Sequence, residues 1–243
     1  MTYCLGILTT TGLVLAADSR SNAGVDHVQR VCKLTTIENP GERVIVILSA
    51  GNLATSQAVV TGLRQAARGG VAGHDLFAAR TLFDVAQIVG DKLRAVSERD
   101  GKFVEPYGDP TASFLVGGQI RGEPHRLFEV YAPGNFAEAS DRSPFMQIGE
   151  TKYGKPILDR GLQTDVSLDE AAKLALLSFD ATMRSNLSVG APIDLMRYRA
   201  GSLSATDLAV FDEDNAYWQG LRQRYSDGLT ALVDSLPPPP HGG

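Results

Sequence analysis

The feature that most constrains the fold is a pair of short apolar segments close to the start of the chain. Residues 3–8 and 13–17 are separated by a Thr/Gly-rich turn at residues 9–12. Two apolar segments joined by such a turn predict a β-hairpin. An antiparallel hairpin brings the end of its second strand beside the start of its first. We therefore expect Asp18 to lie next to Thr2.

Thr2 combines a hydroxyl with the position directly after Met1. Removal of Met1 would place a free α-amine and the hydroxyl on one residue, and threonine is small enough to permit that removal. A hydroxyl needs an adjacent base to act as a nucleophile, and an α-amine titrates near ~7.7–8.0. Thr2 is thus a candidate nucleophile with its own base. The alternative is that Thr2 only opens an edge strand.

Three charged residues strengthen the first interpretation. Asp18 is expected beside Thr2, and Arg20 is expected to hold the Asp18 carboxylate through a charge-assisted hydrogen bond. Lys33, at the start of a predicted strand over 33–37, would bring a cation. A cation stabilises a developing alkoxide and keeps a nearby amine unprotonated. Each residue alone is common on a protein surface, but the set predicts an active site.

The rest of the chain predicts a mixed α and β fold. Strands are predicted at 43–49, 113–117, 126–131, 145–149 and 193–198. Helices are predicted at 53–67, 82–98, 167–183 and 214–236, with Asp100-Gly101 ending the second and a Ser167/Glu170 capping box opening the third. We expect one domain over 1–236 and a disordered tail at 237–243.

Composition excludes several classes of protein. The 243 residues are 43% hydrophobic and carry a formal net charge of -5, which does not suit a nucleic-acid surface. We expect no membrane span and no signal peptide. The two cysteines, Cys4 and Cys32, predict no disulfide framework, and the four scattered histidines predict no metal site. A cytoplasmic protein without a cofactor is expected.

One competing motif is the segment 149–156, which resembles a phosphate-binding loop after a strand. Pro156 replaces the Ser or Thr that holds Mg²⁺, and Glu150 adds negative charge where phosphate would bind. No parallel βαβ pattern surrounds it. We therefore reject nucleotide binding here.

The sequence resembles the proteasome β-subunit pattern at Thr2, at 12–20, at Lys33 and at 49–52. Segments 18–24, 49–55 and 183–190 resemble the bacterial branch called Anbu, the ancestral β-subunit proteins. The resemblance implies an α+β, four-layer αββα sandwich with the N-terminal-nucleophile hydrolase fold. It also implies a threonine-type endopeptidase.

The resemblance assigns further roles, and the sequence departs from the family at three of them. The Gly51 N–H would stabilise the oxyanion. Asn186 stands where the family has an aspartate, and Val189 stands where it has a serine, with Ser185 and Ser188 nearby. Glu150 stands where it has another serine. The residues expected to border the specificity pocket are Ser21, Val31, Ser49 and Leu53, which suggest a small or apolar substrate side chain.

The expected partners are a peptide or unfolded-protein substrate and further copies of the chain, in a ring or a spiral. Any ATPase would be a separate protein, because the chain has no ATPase motif. Two alternatives stay open. One is an N-terminal-nucleophile amidohydrolase or acyltransferase acting on a small amide. The other is a weakly active or inactive assembly subunit.

Overall fold

The computed structural model describes residues 2–22, 28–69, 75–163 and 165–240. The strands in these ranges are β1 (Tyr3–Thr9), β2 (Gly12–Asp18), β3 (Arg20–Asn22), β4 (Val28–Arg30), β5 (Leu34–Asn39), β6 (Arg43–Gly51), β7 (Ala112–Ile120), β8 (Arg126–Val130), β9 (Phe136–Glu138), β10 (Phe145–Gly149), β11 (Ile193–Arg199) and β12 (Leu208–Phe211). The helices are α1 (Leu53–Gly69), α2 (Leu82–Val104), α3 (Lys155–Gly161), α4 (Leu168–Ser185) and α5 (Ala216–Ser235).

Two five-stranded antiparallel sheets form the centre of the molecule. The first sheet has the strand order β10-β1-β2-β11-β12, and the second has the order β5-β6-β7-β8-β9. The strands β3 and β4 pair separately as a small ribbon. The predicted hairpin is present as β1 and β2, with Thr9 opposite Gly12 across a two-residue turn.

Three apolar cores define four layers. One core lies between the two sheets and contains Leu15 of β2 and Leu48 of β6. A second joins the second sheet to α1 and α2, and a third joins the first sheet to α3, α4 and α5. This arrangement confirms the predicted αββα sandwich.

Strand β1 shows how the sequence encodes burial on both faces. Tyr3, Leu5 and Ile7 belong to the core beneath the helices, whereas Cys4 belongs to the core between the sheets. Successive side chains of a strand point to opposite faces, so both faces must be apolar when helices and a second sheet cover them. Strand β1 pairs with β10 on one side and with β2 on the other, which holds the backbone that follows Thr2.

The structure differs from the sequence-based prediction in a few elements. Helix α2 continues through Gly101 to Val104, so the predicted stop at Asp100-Gly101 is wrong. The short elements β3, β4, β9, β12 and α3 were not predicted. The capping box at Ser167 and Glu170 is confirmed. In the part of the chain that the structure describes, no helix is sufficiently long and apolar to cross a membrane.

Candidate active site

The hairpin delivers the carboxylate of Asp18 to the start of β1. The Tyr3 N–H donates to Asp18 Oδ1 at 3.0 Å, and Cys4 pairs with Ala17 in the register. Asp18 is the last residue of β2, and it is fully buried. The Asp18 carboxylate therefore lies beside the peptide bond that joins Thr2 to Tyr3.

A buried ion pair is formed at this point. The Lys33 ammonium donates to Asp18 Oδ1 at 2.8 Å and to the Arg20 carbonyl at 2.6 Å. The Gly190 N–H donates to Asp18 Oδ2 at 3.4 Å. Burial raises the pKa of the Asp18 carboxyl, while the Lys33 ammonium and the two backbone N–H donors act in the opposite direction.

Thr2 and Lys33 line one cavity of about 240 Å³. The wall of this cavity comes from the end of β6, from the segment around β5 and from one side of α1. The lining residues are Thr2, Val31, Cys32, Lys33, Thr35, Ser49, Ala50, Gly51, Leu53, Ser56, Gln57, Val60, Thr61 and Arg64. A candidate nucleophile, a cation and a backbone turn thus share one concave site.

A larger cavity of about 740 Å³ opens beside β10 and α3. Its lining includes Phe145 and Lys155, but neither Thr2 nor Lys33. Size alone therefore does not identify the site, and the smaller cavity is the one that holds the candidate chemistry.

Gly51 occupies the junction between β6 and α1. Its φ of +100° lies in the region that favours glycine, and a Cβ there would lie 2.4 Å from the Thr111 carbonyl oxygen. No other residue type fits this backbone without strain. The junction therefore presents bare backbone to the cavity beside Thr2.

Three of the four residues expected at the specificity pocket line this cavity: Val31, Ser49 and Leu53. Ser21 lies in β3, and its side chain falls outside what the structure describes. Cys4, on the same strand as Thr2, is fully buried and donates to the Ser49 carbonyl at 3.5 Å. Cys4 is thus a core residue.

The expectation that the Arg20 guanidinium holds Asp18 is wrong. Arg20 Nη1 donates to the Leu187 carbonyl at 3.1 Å, and Nη2 lies 3.4 Å from Glu213. The contribution of Arg20 to the ion pair is its backbone carbonyl, which accepts from Lys33. Its guanidinium lies over Gly190, where a Cβ would be only 2.2 Å from Arg20 Cζ.

Glu150 and Asn186 form a second polar pair next to Thr2. The Glu150 N–H donates to the Thr2 carbonyl at 2.7 Å, and the buried Glu150 carboxylate accepts from Asn186 Nδ2 at 2.9 Å. Its other oxygen accepts from the Lys152 N–H at 3.1 Å. The carboxylate therefore fills the turn that would have held phosphate in a nucleotide-binding loop.

The remaining candidates lie away from this pair. Ser185 is exposed at the end of α4, and Val189 is 1% exposed within the core beneath the helices. Asp180, a buried carboxylate of α4, accepts from Arg184 at 3.0 Å and from Arg222 at 2.5 Å, so it links α4 to α5.

Two residues that contribute to the site were not predicted from the sequence. The Gly190 N–H reaches Asp18 from a loop 172 residues away, and no local signal marks it. Arg64 lines the cavity from α1. The spacing of Leu53, Gln57, Val60 and Arg64 places them on one helix face, and this periodicity was a usable signal.

The sequence matches the family model described as Proteasome subunit over residues 2–196. Anbu (ancestral beta-subunit) from Yersinia bercovieri is 41% identical, with 99% of this chain and 100% of that chain covered and a TM-score of 0.93. The chain belongs to the Anbu family of proteasome subunits. This confirms the resemblance seen in the sequence.

Other Anbu relatives and more distant proteasome subunits agree. A Pseudomonas aeruginosa structure described as a helical assembly of the Anbu complex is 45% identical, covers 98% of each chain and has a TM-score of 0.93. The proteasome subunit beta of Haloquadratum walsbyi is 23% identical over 87% of this chain and 79% of its own length. The Anbu fold thus carries a proteasome-type protease architecture.

Proposed function

We propose that this Anbu chain is a threonine peptidase whose nucleophile is Thr2 after Met1 has been removed. The observation that carries the proposal is the buried pair of Lys33 and Asp18, in which Lys33 lines the same cavity as Thr2. A buried ion pair costs desolvation free energy. Its placement beside a hydroxyl and a bare glycine turn is what an activated nucleophile needs.

In the proposed reaction, Thr2 Oγ attacks a peptide carbonyl while the Thr2 α-amine accepts the hydroxyl proton, directly or through a water molecule. The Gly51 N–H stabilises the oxyanion of the tetrahedral intermediate. The amine then gives the proton to the departing nitrogen, and the C–N bond breaks. Water hydrolyses the resulting ester, with the same amine as base.

The charged residues set the electrostatics of this step. The Lys33 ammonium favours the alkoxide form of Thr2 and lowers the affinity of the α-amine for a proton. Asp18 holds Lys33 in place. The Glu150 N–H holds the Thr2 carbonyl, and the Asn186 amide supplies a hydrogen bond to the Glu150 carboxylate without adding charge. Arg20 contributes through its backbone carbonyl.

We further infer that the chain works as a cytoplasmic homo-oligomer acting on peptides or unfolded proteins. Support comes from the Pseudomonas aeruginosa relative, whose structure is described as a helical assembly. Any ATPase partner would be a separate protein.

The experiment begins with the intact mass of the purified protein, which should lack Met1. Peptide hydrolysis is then compared among the wild type, Thr2→Ser and Thr2→Ala. The rate of peptide hydrolysis by Thr2→Ala should be lower by roughly 10³-fold or more, because the attacking oxygen is lost. Thr2→Ser keeps the oxygen and should retain measurable turnover.

Other results would point elsewhere. Retained Met1 in the active protein, or unchanged turnover by Thr2→Ala, would rule out this nucleophile. Hydrolysis of small amides but not of peptides would favour the amidohydrolase alternative. A processed protein that hydrolyses neither, and that a threonine-directed electrophile does not label, would be an assembly subunit.

A further inference from the structure

One face of α1 forms a long wall of the cavity beside Thr2. Leu53, Gln57, Val60 and Arg64 all line it, at spacings of four, three and four residues. Residues so spaced lie on one helix face, and their side chains tilt towards the helix N-terminus. Arg64 therefore shares this wall with Leu53, which begins α1 two residues after Gly51.

The exposed Arg64 side chain reaches across the cavity to the opposite wall. Its Nη2 lies 3.5 Å from Thr35 Oγ1, at the limit of a hydrogen bond. Thr35 is two residues after Lys33, and both line the cavity. Residues two apart on extended backbone are about 6.6 Å apart. The guanidinium thus contacts the wall of the cavity that also carries Lys33.

The charge of the lining is uneven. The Lys33 ammonium already has a carboxylate partner in Asp18. No Asp or Glu occurs among the lining residues, and within the described ranges Arg64 belongs to no ion pair. Burial and the nearby Asp194 raise the pKa of Cys32. Asp194 itself accepts from Ser19 Oγ at 2.8 Å and is not one of the residues that line the cavity.

We propose that Arg64 makes this cavity a pocket for an acidic substrate side chain, glutamate above all, on the residue that precedes the cleaved bond. A guanidinium offers a carboxylate two parallel N–H donors, and such charge-assisted bonds are stronger than neutral ones. Glutamate reaches further than aspartate by one methylene. Ser49, Gln57 and Thr61 give the pocket a polar wall.

This inference alters the expectation of a small or apolar substrate side chain, which considered Ser49 and Leu53 without Arg64. It rests on the proposed function only in taking the cavity beside Thr2 as the place where the substrate side chain lies. Binding to the cavity does not require that Thr2 reacts.

The test compares two peptides with a C-terminal amide that are identical except for their last residue, which is Glu in one and Gln in the other. Binding to the full chain in its native assembly is measured by calorimetry. The Glu peptide should bind about tenfold more tightly, since a hydrogen bond to a charged group contributes on the order of 1.5 kcal/mol. Arg64→Gln should abolish this preference, and Arg64→Glu should reverse it.

Arg68→Gln is the matched control, because Arg68 is an exposed arginine one turn further along α1 and does not line the cavity. It should keep the preference. Equal binding of both peptides to the wild type, binding of neither, or a preference that survives Arg64→Gln would overturn the inference.

Hydrolysis separates the two proposals. If the Glu peptide binds preferentially through Arg64 but Thr2→Ala leaves turnover unchanged, the pocket assignment stands and the nucleophile assignment fails. If Thr2 is the nucleophile but peptides with Gln and Glu before the cleaved bond react equally fast, the nucleophile stands and the acidic pocket fails.

Discussion

The Lys33 ammonium lies 2.8 Å from Asp18 Oδ1, with the two side chains only 5% and 0% exposed. Breaking a buried ion pair from one side leaves an uncompensated charge, whereas removing both charges does not. Comparing a single variant with the double variant therefore distinguishes the contribution of the pair to stability from its contribution to the reaction.

We expect Lys33→Met to lower the free energy of unfolding by about 3 kcal/mol or more, because the Asp18 carboxylate loses its cation. The double variant Asp18→Asn/Lys33→Met should recover part of that stability, since neither charge remains. Urea denaturation measures both effects. Peptide hydrolysis should be lost in both variants. A double variant that is less stable than Lys33→Met would contradict the buried-charge explanation.

A second prediction concerns the backbone at Gly51. Gly51→Ala puts a Cβ against the Thr111 carbonyl at a φ of +100°, so we expect a loss of about 1–3 kcal/mol of stability. The displaced N–H should also slow peptide hydrolysis. Thermal unfolding and turnover report the two effects separately.

The matched control is Gly220→Ala in α5, where nothing lies within 4 Å of the added Cβ. Alanine is the better helix former, so this variant should gain about 0.5–1 kcal/mol and keep its activity. If Gly51→Ala behaved like Gly220→Ala, the strain at the junction would be absent.

The parts of the site that the sequence predicted are those set by local pairing. The hairpin places Asp18 beside Tyr3 because a two-residue turn allows one register with both faces apolar. The direction of the Arg20 side chain could not be predicted, because its partners Leu187 and Glu213 lie more than 160 residues away. The same limit applies to the Gly190 contact with Asp18.

The fold errors also have physical causes. Helix α3 was missed although Pro156 lies in its first turn, a position that suits proline. The predicted helix stop at Gly101 fails because glycine inside a helix costs only about 1 kcal/mol, which the packing of α2 outweighs. The short strands β9 and β12 have too few residues for a clear periodicity.

A third prediction concerns the Tyr3 hydroxyl, which lies 2.6 Å from Ser178 Oγ and accepts from Gln147 Nε2 at 2.6 Å. Burial raises the pKa of Tyr3 to about 12. An unfolded tyrosine has a pKa near ~10. The fold therefore favours the protonated form, and this contribution is complete below about pH 10 and is lost as the pH rises towards 12.

Urea denaturation between pH 8 and pH 11 should show this loss in the wild type. Tyr3→Phe should lack this component and should lose about 1 kcal/mol at pH 8, because the partners Gln147 and Ser178 lose a hydrogen bond. An alkaline loss of equal size in both proteins would assign it to other groups.

The last prediction concerns Asn186, whose amide donates to Glu150 at 2.9 Å. Asn186→Asp replaces that donor with a second carboxylate, and two carboxylates at this distance raise the pKa of one of them. A raised carboxyl pKa in the folded state means that stability is lost as the pH rises above the unfolded value. We therefore expect the variant to be about 1–2 kcal/mol less stable than the wild type at pH 7 and nearly equal at pH 4.

The exchange variant Glu150→Gln/Asn186→Asp tests the same contact from the other side. It again pairs one carboxylate with one amide, so most of the stability at pH 7 should return, measured by urea denaturation beside the single variant. A single variant with no pH-dependent deficit would show that Glu150 and residue 186 do not interact. If the exchange variant also hydrolyses peptides as fast as the wild type, the site requires one charge and one amide from this pair, regardless of which position carries the charge.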